Sequence, residues 1–273
     1  APNAAAARAV CAELGEVATE FASPLLFECL CRAFYALYLD ADQASTHRIA
    51  QRLFVYAAAL NNPRLRRRAL SLAGVCALDA GNVRAGIALL AEAFELARAL
   101  GDIEGELATM TNLGLAFNVA FDFDASIQCS LWVAERATHF AAPNDSIRRA
   151  LALCNASDAA LHQVDANRAL LFARQALESA GTNLTLLAVQ ASSANMARAL
   201  WQLDRRSEAV ECARRGLACN VEESLRAQHP RQLCRVIIAL SSADPETGFA
   251  LLTESLALGK RVAHAEHVDS LAF

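Results

Sequence analysis

The sequence predicts an all-α fold built as a solenoid of antiparallel helix hairpins, and three observations carry that prediction. The chain of 273 residues is 55% hydrophobic, yet holds only 11 Gly and 6 Pro. Ala and Leu dominate it, and both lose little side-chain freedom in a helix; no alternating run of Val, Ile and Thr reads as a strand. The chain also repeats. When residues 69–102 are laid over 108–137, Gly74 falls on Gly114, Asn82 on Asp122 and Ala85 on Ala125, each at a shift of 40. Finally, Pro24, Pro63, Pro143, Pro230 and Pro245 all fall where the pattern starts a helix. There the missing N–H of proline has no partner to lose.

Taken in order, residues 1–22 predict one N-terminal helix. Residues 23–262 carry the repeats, and 263–273 begin a further helix that leads into a region beyond this sequence. "PLLFECLCRAFYALYLDADQASTHRIAQRLFVYAAAL" sets the two-helix rhythm. The two clearest copies follow. In "ALALCNASDAALHQVDANRALLFARQALESAG", Ser157 takes the glycine place and Asp165 the turn. In "VQASSANMARALWQLDRRSEAVECARRGL", Asp204 stands near the turn and Ala209 just beyond it; "RQLCRVIIALSSADPETGFALLTESLALG" is a degenerate last copy. Helices in a tight hairpin approach closely only where side chains are small. Gly74, Gly114, Ser157 and Ala197 are therefore expected at the crossings, facing Ala or Gly.

Composition narrows the function classes. The net charge is −4, whereas a protein binding nucleic acid through its whole surface is normally basic. The one basic cluster, Arg64 to Arg68, spreads around a helix rather than forming a phosphate patch. No stretch reaches the roughly 18 apolar residues of a membrane span, and the N-terminus lacks a signal-peptide pattern; a cytoplasmic location is expected. The nine Cys are scattered without a CxxC and read as small buried hydrophobes. GxSxG, GxxxxGK[ST] and GxGxxG are missing. "HAEH" at 264–267 puts two imidazoles on one helical face but lacks the third or fourth ligand of a zinc site. No catalytic residue, cofactor or metal is expected. An all-helical enzyme would need a converging cluster of His and carboxylates that the sequence does not supply.

The small-residue pattern, the "NLG" of Asn112 to Gly114 and the Gly-Asn or Asp turn resemble the tetratricopeptide repeat (TPR). The unit is longer than that family's usual ~34 residues and is similar to the long-helix variety of bacterial regulators and kinesin light chain. The resemblance covers residues 24 to 260 and implies about six repeats in a right-handed superhelix, with first helices on the concave side. It also implies a groove. Asn112, Asn155 and Asn195 stand two residues before the small-residue position of successive copies. Peptide-sensing regulators of this style use such asparagines to pair with the main chain of a bound peptide, since the amide offers both donor and acceptor. The competing reading keeps each Asn bonded within its own helix. The same register adds Arg68, Asn118, Asp158, His162, Arg198 and Trp201 as groove-facing residues. Arg198 and Trp201, three apart, are expected to share a face, unless Trp201 is core.

The function implied is a non-enzymatic module binding a peptide or protein, in the sensory or regulatory region of a larger bacterial signalling protein. The tail "ALLTESLALGKRVAHAEHVDSLAF" is similar to repeats that precede diguanylate cyclase domains, and a transcriptional regulator fits as well. No direct contact with nucleic acid or membrane is expected, and a homodimer is compatible. The alternative is a constitutive protein–protein scaffold without a switch.

Overall fold

The structure, a computed structural model, describes residues 4–14, 19–40, 42–137, 145–180, 186–219 and 229–261. Among these residues there is helix and no strand. Contacts divide the chain into two compact units, Ala1–Phe121 and Asp122–Phe273. The division falls inside the stretch "TNLGLAFNVAFDFDASI", which the sequence reads as belonging to one copy of the repeat.

The N-terminal unit holds α1 (Ala4–Leu14), a 3-10 turn (Thr19–Phe21), α2 (Pro24–Leu39), α3 (Gln43–Ala59), α4 (Pro63–Asp79), α5 (Val83–Ala99) and α6 (Ile103–Val119). The second unit holds α7 (Phe123–Arg136), α8 (Asp145–His162), α9 (Ala166–Ala180), α10 (Leu186–Gln202), α11 (Arg206–Ala218), α12 (His229–Leu240) and α13 (Pro245–Arg261). Pro24, Pro63 and Pro245 open their helices and Pro230 is the second residue of its own; Pro143 and the "HAEH" motif lie outside the described residues.

One junction is used again and again. A helix ends, a single residue takes positive φ, and the next residue caps the following helix. Asn61, Gly81, Gly101 and Phe121 take positive φ at twenty-residue intervals, followed by Val164 and Asp204. At the α4–α5 turn the N–H of Gly81 donates to the Leu78 carbonyl and that of Asn82 to the Ala77 carbonyl, both at 2.8 Å. This pair of bonds satisfies the last carbonyls of a helix. Asn82 then accepts from the N–H of Ala85 at the start of α5. Asp102, Asp122 and Asp165 do the same for α6, α7 and α9. Side-chain caps of this kind contribute roughly 1 kcal/mol each.

The hairpins close over small residues. A Cβ on Gly74 of α4 would lie 2.7 Å from Leu90 Cγ and 3.2 Å from the Gly86 carbonyl oxygen of α5. One on Gly86 would lie 3.1 Å from the Gly74 carbonyl oxygen. Ser157 of α8 keeps this register: its hydroxyl donates to the Ala169 carbonyl of α9 at 2.8 Å, twelve residues on, as Gly86 is from Gly74. Ala197 and Ala209, again twelve apart, are fully buried.

Close packing between first helices is seen for α8, α10 and α12 in the second unit and for α4 and α6 in the N-terminal unit. α10 packs directly on α8 and on α12, and α4 packs on α6, whereas α9 against α11 and α3 against α5 show no comparable packing. In the second unit successive hairpins therefore converge on the side of their first helices. The N-terminal core is built from large side chains, including Phe27, Phe34, Leu53 and Tyr56; around α8–α11 it is mostly alanine, which brings the backbones nearer. No described helix is long and apolar enough to cross a membrane.

Candidate functional site

The first helices place the expected site residues in two sets, one per unit.

In the second unit, α8 and α10 are tied by two bonds of the same register. The Asn195 amide donates to the Cys154 carbonyl at 3.0 Å, and Arg198 donates to Asp158 at 2.6 Å. The partners stand 41 and 40 residues apart. Asn195 and Arg198 lie one turn apart on α10, just as Cys154 and Asp158 do on α8, so the pairs stack along a common seam. Arg198 is buried, its side chain 5% exposed, while Asp158 is 31% exposed. His162, one turn beyond Asp158, holds Nε2 3.6 Å from that carboxylate. Its ring stacks on Phe123 of α7 with centroids 5.3 Å apart. Burial alone would raise the Asp158 pKa, but hydrogen bonding from His162 and the charge of Arg198 hold its carboxyl well below the usual carboxylate range. The side-chain amide of Asn155, half-buried on α8 next to Cys154, has no hydrogen-bond partner among the described residues.

The N-terminal unit uses the same device. Arg68 of α4 donates to Glu28 of α2 at 2.5 Å, again 40 residues away, and the Asn112 amide of α6 donates to the Ser71 hydroxyl of α4 at 3.2 Å, 41 away. The hydrogen bond from Arg68 lowers the Glu28 pKa. The neighbouring arginines leave in other directions, Arg66 to Glu92 and Arg67 to Asp102, as expected of a run spread around a helix. Asn118 is half-buried near the end of α6, where its carbonyl accepts from the N–H of Phe121.

The ladder therefore has a structural component. Asn112 and Asn195 bond to the neighbouring first helix, not within their own, and each spends an amide donor on it. Trp201 does not join Arg198: it turns to α11, where the Arg206 guanidinium lies 3.7 Å from the ring centroid. The three-residue spacing missed this because the turn at Asp204 brings Arg206 back over the indole. Sequence reasoning also missed Glu28, Ser71 and Cys154. A signal for them existed, since each stands 40 or 41 residues before a residue already singled out. Among the described residues no group of His, Cys, Asp and Glu has metal-binding geometry. Burial pushes the thiols of Cys31 and Cys154 up to about 12 and about 11, as inert core cysteines require.

No protein-family profile matches the sequence, and no curated protein matches it. Solved structures resemble it in fold. The apo form of RapI aligns with a TM-score of 0.63 at 12% identity, over 94% of this chain and 90% of that one. BtubC (BKLC) from P. vanneervenii aligns with a TM-score of 0.60 at 15% identity, over 78% and 88%. The apo form of the quorum sensor NprR from B. thuringiensis aligns with a TM-score of 0.54 at 13% identity, over 97% and 87%. What the chain shares with them is a fold, the all-α array of TPR-like helical hairpins.

Proposed function

We propose that this chain is a non-enzymatic binding module that holds a peptide or protein segment against the first-helix faces of its units, and that it serves as a sensory or regulatory region of a larger signalling protein. One observation carries the binding reading. The first helices are tied by side chains repeated at 40 or 41 residues, and beside them Asn155 keeps a half-buried amide with no hydrogen bond among the described residues. An amide at such a position can pair with both the N–H and the carbonyl of a bound main chain. Likeness in fold to the quorum sensor NprR supports a sensory role. Asp158, His162, Arg198, Asn195, Asn112, Asn118 and Arg68 shape the faces, and Trp201 borders one of them. Panning a displayed peptide library on the chain, followed by calorimetry with a selected peptide, tests the reading. Asn155→Ala is expected to weaken binding about tenfold, or ~1.4 kcal/mol, without changing thermal stability. Failure to select any peptide above background would overturn it.

A further inference from the structure

The two seams of the second unit are not alike. Between α8 and α10 the buried polar side chains each have a partner: Asn195 on the Cys154 carbonyl, Arg198 on Asp158, and the Ser192 hydroxyl 3.0 Å from the Cys154 thiol. The next seam begins where α10, α11 and α12 meet. A Cβ on Gly216 of α11 would lie 2.7 Å from Cys234 Sγ of α12, 3.3 Å from Ser193 Cβ of α10 and 3.7 Å from the Gln190 carbonyl oxygen. At this junction Gln190 and Ser193, one turn apart on α10, are 0% and 1% exposed. Neither the amide nitrogen and oxygen of the Gln190 side chain nor the hydroxyl of Ser193 has a hydrogen-bond partner among the described residues. In the preceding copy Ala150 and Leu153 hold the same two places, buried and apolar.

A buried amide or hydroxyl without a partner has given up its hydrogen bonds to water and received none in return. Opening the junction restores them, so the free energy of opening is lower here than at a seam whose polar groups are paired. Sub-global opening follows such weak seams and releases a contiguous, cooperative piece. The piece beyond this seam is a hairpin with bonds of its own. Gln232 of α12 donates to the Ser255 carbonyl of α13 at 3.2 Å, and Arg235 pairs with Glu254 at 3.2 Å. Towards α11, Arg231 in the first turn of α12 donates to the Cys219 carbonyl at 3.2 Å. That bond is partly buried, and water can replace it.

We infer that the second unit opens at this junction, with α12 and α13 leaving together while α8 to α11 stay folded. The inference is independent of the ligand proposed above and stands or falls without it. Hydrogen exchange of the full chain in native buffer, followed by mass spectrometry, provides the test. Amides of α12 and α13 are expected to exchange together, and roughly tenfold or more faster than those of α8 and α9. Gln190→Met keeps the length of the side chain and removes both unpaired atoms. It is expected to slow exchange in α12 and α13 roughly tenfold, although Gln190 lies on neither helix; Ser193→Ala is expected to slow it severalfold. A hairpin that only frays from its far end exchanges in α13 ahead of α12 and does not respond to a change on α10, and that result overturns the inference. So does unchanged or faster exchange in Gln190→Met, the outcome if ordered water already pairs the amide. A Gln190→Met chain that fails to fold counts against it in the same way, because removing unpaired buried atoms is expected to stabilise.

Discussion

Arg198 and Asp158 meet at 2.6 Å between α10 and α8, with the guanidinium buried and the carboxylate at the edge of solvent. The pair repeats the register of Arg68 and Glu28 in the other unit. Each joins consecutive first helices, so each reports on the contact that makes separate hairpins into an array.

Removing one partner of the Arg198 pair leaves a buried charge. Asp158→Asn is expected to destabilise by about 3 kcal/mol, near the low end for a broken buried pair because Asp158 is partly exposed. Replacing both residues, as in Asp158→Asn with Arg198→Met, is expected to recover part of that loss. Urea denaturation of the single and double variants measures the coupling.

The pH dependence has a definite sign. The carboxyl of Asp158 titrates lower when folded than when unfolded, so its contribution is complete above the ordinary Asp value of about 4 and is lost as pH falls below it. Wild type is expected to lose stability from about pH 4 downward more steeply than Asp158→Asn does. Parallel slopes for the two proteins would contradict the assignment.

The crossing at Gly74 tolerates no added atom. Gly74→Ala places a methyl 2.7 Å from Leu90 Cγ, and Gly86→Ala places one 2.6 Å from Leu78 Cδ2. Each is expected to cost ~1–3 kcal/mol through overpacking. An Ala is otherwise favoured over Gly in a helix by about 1 kcal/mol, so any measured loss understates the steric effect. Thermal unfolding of both variants checks this.

The junctions predict opposite signs at adjacent positions. Val164 has φ of 61° and is exposed, a conformation costly for a β-branched residue. Val164→Gly is expected to stabilise by about 1 kcal/mol. Asp165→Ala, which removes the bond from the Arg168 N–H, is expected to destabilise by ~1 kcal/mol. Equilibrium unfolding of the two variants should move in opposite directions.

Much of the architecture was legible from the chain because it depends on local chemistry. Pro24, Pro63 and Pro245 begin helices, and Asn82, Asp102 and Asp122 cap them. Gly74 stands where its small size predicts, since backbone approach is limited by the atoms of the residue itself. The equivalence of Asn112 and Asn195 was also readable, because a repeated fold gives repeated positions repeated surroundings. Only the tertiary structure decided what those side chains touch. Asn112 and Asn195 chose acceptors on the neighbouring first helix, Trp201 turned to Arg206, and Glu28 entered as the partner of Arg68. Sequence spacing fixes the face of a helix on which a residue lies. The depth and rotation at which that face meets the next helix follow from core packing, where Phe27 and Tyr56 hold one unit apart by their bulk and alanines let the helices of the other draw close.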